Sequence, residues 1–87
     1  MIRHEEVDLL ATIWEGQGEV LELTLPGTFS SRALSEITMP QDSLVAAIVR
    51  GGRAIVPDGS TLVSGDDRCL IICQTERVHE VRKTLLR

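Results

Sequence analysis

SLVAAIVRGGRAIVPDG, Ser43 to Gly59, is the stretch whose reading decides the fold. An apolar run (Leu44, Val45, Ala46, Ala47, Ile48, Val49) and a second short one flank the pair Gly51-Gly52. Two β-prone segments joined by two glycines predict a tight hairpin, because the two central residues of such a turn need positive φ and glycine reaches it without a Cβ clash. Counting back from the turn sets Arg50 opposite Arg53 on the last rung. Like charges facing each other across strands are unfavourable by about a few tenths of a kcal/mol or more. Acidic neighbours such as Asp58, Asp66 or Asp67, solvent, or an anionic ligand must compensate them.

Working outward, the 87 residues make one domain, residues 1–87, with 1–6 read as a linker or disordered remnant. A chain of this size buries roughly 60–65 % of its unfolded surface, so its core is thin and pairing with another chain would help it. With no Tyr, one Trp and one Phe, the core falls to Leu, Ile and Val, and stacking platforms for bases are missing. A net charge of −4 argues against nucleic acid and anionic membrane surfaces as partners. No apolar run approaches the ~20 residues of a membrane-crossing helix, and the acidic start MIRHEEVD does not read as a signal peptide. The expected location is cytoplasmic.

Towards the N-terminus, Val7 to Trp14 and Glu19 to Leu25 both alternate in part across the turn residues Glu15-Gly16-Gln17-Gly18, which predicts an antiparallel hairpin. A helix over residues 5–14 competes with the first strand, since Leu9, Leu10 and Ile13 also fit a helical period. Pro26-Gly27 closes the second strand. A short helix follows, with Ser30 or Ser31 as N-cap and Leu34 and Ile37 on its buried side, ending before Pro40.

Towards the C-terminus, Thr61 to Val63 form a brief extended piece, and Arg68 to Gln74 a central strand buried on both faces. Thr75 N-caps a final helix, Glu76 to Leu86, whose inner stripe is Val78, Val81 and Leu85. The expected fold class is α+β: a small, mostly antiparallel sheet with a short inner helix and a C-terminal helix packed on it.

Candidate chemistry is sparse. Cys69 and Cys73 share one face of a strand about 13 Å apart, too far for a mutual disulfide, so they read as buried reduced thiols. Asp66 and Asp67 read as turn formers with solvated charges rather than a cation site, and His4 and His79 as surface residues. No metal site, catalytic set or complete GxGxxG is present, so neither enzyme activity nor bound NAD or ATP is expected. Arg50 and Arg53 are the anion candidates: guanidinium groups grip phosphate bidentately, and Gly51 and Gly52 let a ligand approach the backbone. If the arginines hold a phosphate, Ile48, Ile55 and Pro57 are the apolar neighbours against which an adenine would pack.

The succession EVLELTLP, ALSEITMP, SLVAAIVRGG and IVPDGSTLVSGDD, then an apolar strand and a closing helix, resembles the C-terminal domain of TrkA-type potassium-transport regulators, the RCK-C or TrkA-C module. The resemblance runs from about Val7 onward. Its most specific part is Ile48-Val49-Arg50-Gly51 followed by Pro57 and Gly65-Asp66. Members commonly carry glycine where Ser31 stands and near Ala46, departures that bear on a binding groove more than on the fold. The resemblance implies a regulatory domain that forms a homodimer and follows an N-terminal nucleotide-binding RCK domain in a longer protein. That protein would sit beneath a membrane potassium transporter or channel subunit, peripheral to the inner face of the membrane. It also implies a small nucleotide effector of the cyclic di-AMP type at the dimer cleft. The alternatives are an assembly-only domain without ligand and a regulator of another cation transporter or antiporter.

Overall fold

The computed structural model describes residues 15–86. The first strand of the predicted N-terminal hairpin, its helical rival, the stretch 1–6 and His4 lie outside them. Six strands and one α-helix follow one another: β1 (Gly18–Thr24), β2 (Arg32–Ala33), β3 (Ser43–Arg50), β4 (Arg53–Ile55), β5 (Leu62–Val63), β6 (Arg68–Gln74) and α1 (Val78–Leu85). Four of the strands form an antiparallel sheet in the order β1-β6-β3-β4, and β2 and β5 pair as a separate ribbon.

The alternation of β6 sets the core. Cys69, Ile71 and Cys73 are fully buried on one face. Leu23 and Leu21 of β1 lie opposite Cys69 and Ile71 from one side, Ile48 and Val45 of β3 from the other. Val81 and Leu85 of α1 join the same cluster, with Leu25, Ile37 and Val63 from the loops and the ribbon. The expected burial of β6 on both faces is corrected: Leu70 and Ile72, on the opposite face, are half-buried, and Val20, across from Ile72, is 54 % exposed.

β3 carries an irregularity that no alternating pattern predicts. Val45 pairs with Ile71, but Ala47 pairs with Leu70, so Ala46 is an extra residue. In a regular strand Val45 and Ile48, three apart, point to opposite faces. The bulge brings both into the core. Ala46 is not among the positive-φ residues, so this bulge needs no glycine.

The short inner helix is a single 3-10 turn, Leu34–Glu36. Neither Ser30 nor Ser31 caps it: Ser31 Oγ donates to Ser64 Oγ at 2.9 Å, while Glu36 Oε1 accepts from the Ala33 amide at 3.0 Å. The reason is competition, since Arg32 and Ala33 are drawn into pairing with Val63 and Leu62 and too few residues remain for an α-turn. The closing helix likewise begins with a 3-10 turn, Thr75–Arg77, without a side-chain cap; the Thr75 hydroxyl instead donates to the Gln17 carbonyl at 3.2 Å.

Candidate functional site

The β3–β4 hairpin matches the sequence expectation rung by rung: Ile48 faces Ile55, Val49 faces Ala54, and Arg50 faces Arg53. Gly51 and Gly52 sit at φ +56° and +77°, the left-handed pair that this turn demands. The two guanidinium groups then part company. Arg53 stays exposed, with no ion-pair partner among the described residues. Arg50 reaches Asp67.

That pairing is a closed fork. Arg50 Nε donates to Asp67 Oδ1 at 2.8 Å and Nη2 to Oδ2 at 2.7 Å, while Nη2 also donates to the Leu62 carbonyl at 2.8 Å. The Ser64 amide adds a fourth bond, to Asp67 Oδ2 at 2.8 Å. Asp67 is 2 % exposed, so the expectation of a solvated turn carboxylate is corrected. The Arg50 hydrogen bonds, then the Ser64 amide and the Arg50 charge, hold its pKa below the usual carboxylate range against the opposing effect of burial. Asp67 in turn raises the pKa of Arg50. Three elements meet here: the end of β3, the strand β5, and the loop entering β6. The ion pair fastens the two-stranded ribbon to the main sheet.

Among the described residues, Nε and Nη2 of Arg50 are engaged, and Nη1 is the group left for an incoming anion. Ile48 is fully buried and can meet a ligand only if the core opens. Ile55 and Pro57 are half-buried at the edge of the hairpin. The stretch thus brings Arg50, Gly51, Gly52 and Arg53 together at one tip and separates Ile48 from them.

Both thiols are free and buried. Burial, aided by the Asp67 charge, pushes the Cys69 thiol up to about 11, and burial raises Cys73 as well. A thiol so placed is a poor nucleophile and a poor metal ligand at neutral pH. Among the described residues there is no cluster of His, Cys, Asp and Glu able to hold a metal ion. His79 is exposed near the start of α1.

A second feature escapes sequence patterning. A cleft of about 400 Å³ opens between the loop Thr28 to Ser30, β2, the 3-10 turn and the end of α1. Arg32 and Glu36 are its charged residues, and the Arg32 guanidinium lies over the Phe29 ring, 5.4 Å from its centre. The segment TFSSRALSEIT carries no ligand-binding motif, and a helical reading of it places these side chains differently. Only the arrival of the C-terminal helix makes the concavity.

The TrkA-C domain family matches residues 20–86. The Trk system potassium uptake protein TrkA of Mycobacterium tuberculosis is 32% identical over 73 residues, covering 82% of this chain and 33% of the relative. A TrkA homolog of Archaeoglobus fulgidus is 29% identical over 84 residues, covering 95% of this chain and 19% of the relative. A solved structure described as an RCK domain with cda superposes with a TM-score of 0.68 at 24% identity, over 76% of this chain and 96% of that one. The chain therefore spans between a fifth and a third of the length of these curated relatives. With the family match running from the first strand to the end of the closing helix, the chain belongs to the TrkA-C domain family.

Proposed function

We propose that this chain is a cytosolic regulatory and dimerisation domain of a potassium-uptake system of the Trk or Ktr type. A small anionic effector, such as a cyclic dinucleotide, binds in the cleft between two copies. The observation that carries the reading is the TrkA-C match over nearly all of the described fold, together with relatives named as potassium uptake proteins. Those relatives are several times longer, which supports a domain acting on a neighbouring nucleotide-binding domain and, through it, on a membrane transporter. Among the described residues no helix is long and apolar enough to cross a membrane, which supports a peripheral association through that transporter. The role is regulatory rather than catalytic, and the buried thiols of raised pKa support that choice.

For the effector, support comes from the solved structure described as an RCK domain with cda, and from the exposed Arg53 facing Arg50, whose Nη1 has no partner among the described residues. One observation favours a second reading, assembly without ligand: the better anion candidate, Arg50, is already gripped by Asp67. Light scattering after size exclusion, followed by thermal shift with cyclic di-AMP, separates the two. The ligand reading expects a dimer stabilised by about 2.7 kcal/mol at 100 times Kd, a response weakened in Arg53→Ala. A dimer with no thermal response leaves the assembly reading. A stable monomer at high concentration overturns both.

A further inference from the structure

The cleft beside α1 contains one full charge of each sign among its described residues. Arg32 and Glu36 both line it, yet they are not ion-paired to each other, and no other ion pair of the described residues engages either. Each is held in place by another contact. The Arg32 guanidinium lies over the Phe29 ring, a cation–π contact at 5.4 Å from its centre. The Ala33 amide holds Glu36 through Oε1, leaving Oε2 as an acceptor. Glu36 and Arg32 are both exposed, so the cleft carries a carboxylate and a planar guanidinium open to a ligand.

The pairing of signs discriminates among ligands. A phosphate or dicarboxylate would gain Arg32 but meet the like charge of Glu36 with no second cation from the described lining. A simple amine would meet the reverse conflict. A neutral ligand engages neither charge. A molecule carrying an anion and a cation a few bonds apart satisfies both. Thr84 and Leu85, at the end of α1, close the cleft on that side. The volume of about 400 Å³ lies at the lower end of small-molecule sites. The half-buried Phe29 ring offers apolar surface for a short side chain, and the hydroxyls of Thr28, Ser30 and Thr38 offer adaptable donors and acceptors.

We propose that this cleft binds a small zwitterion of the α-amino-acid class, its carboxylate on Arg32 and its ammonium group on Glu36. All of its described lining residues belong to one copy of the chain, and the proposal does not rest on the effector above. The test is a titration of the ¹⁵N-labelled chain with the common L-amino acids at about 10 mM, with acetate and methylammonium as single-charge controls. At least one amino acid should shift the amides of residues 28–32 and 36–38 saturably, and neither control should match it. Glu36→Gln retains an acceptor for the Ala33 amide while losing the charge, and Arg32→Gln leaves the exposed strand backbone intact. Each should weaken binding about tenfold or more. The proposal is overturned if no amino acid gives a saturable shift, if acetate shifts the same amides as tightly, or if both variants bind as well as the parent.

Discussion

The asymmetry between Arg50 and Asp67 is the most consequential detail at the scale of single residues. The arginine side chain is 45 % exposed and the aspartate side chain 3 %, so the two halves of one ion pair face different alternatives. When Asp67 is removed, Arg50 can turn to water. When Arg50 is removed, a carboxylate stays buried with, among the described residues, the Ser64 amide as its remaining donor. Arg50→Ala should therefore lower the thermal midpoint more than Asp67→Asn, as differential scanning calorimetry of the two variants would register. Asp67→Ala should cost about 3 kcal/mol, because it also strands the Ser64 amide. The pH dependence follows from the lowered pKa of Asp67. Its contribution is present above the unfolded value of about 3.9 and is lost as pH falls through the lower folded value. Urea titrations from pH 5 to 2 should show that acid loss in the parent and a shallower one in Asp67→Asn. The thiols make a parallel case. Ellman's reagent at pH 8 should find neither Cys69 nor Cys73 in the native chain and both in denaturant, since each is buried with a raised pKa.

At the scale of elements, the strand β6 and the turns around it carry different kinds of information. Ile71 sits between Leu21 and Val45 and is fully buried. Ile71→Ala should cost about 2–5 kcal/mol in chemical denaturation, with the spread set by how far the cavity collapses. Gly65 is constrained by neighbours rather than by its own dihedral angles: a Cβ there would lie 2.7 Å from the Gly27 carbonyl oxygen. Gly65→Ala should destabilise the chain, whereas Gly59→Ala, which meets only the Ser35 Cβ at 3.5 Å, should leave the midpoint nearly unchanged. A comparison of the two midpoints checks the distinction. The hairpin, the apolar strand β6 and the inner stripe of α1 are readable from sequence because each rests on spacing along the chain. The 3-10 turn after β2 is not readable that way. Its length depends on Leu62 and Val63 claiming Ala33 and Arg32, some thirty residues apart in sequence. The Ala46 bulge hides in an unbroken apolar run, where either face of the strand could serve as the inner one.

For the whole molecule, a main sheet and a small ribbon share one cluster, tied at their common edge by the Arg50–Asp67 pair. A core built almost without aromatic residues is thin, which gives the proposed dimer a physical motive. If folding and dimerisation are coupled, the thermal midpoint should rise by several degrees between about 1 and 100 μM chain. Calorimetry showing one midpoint across that range would uncouple them. Local chemistry by itself determined the Gly-Gly hairpin, the facing arginines, the buried thiols on one face and the closing helix, because dihedral preference and periodicity act over a few residues. It also carried the family, whose motif lies in that hairpin and the turns after it. Tertiary structure alone decided which aspartate answers Arg50, how Val45 and Ile48 come to share a face, and that Arg32 and Glu36 line a cleft. Each of those outcomes depends on groups distant in the chain and adjacent in space, and no local pattern encodes which distant partner will arrive.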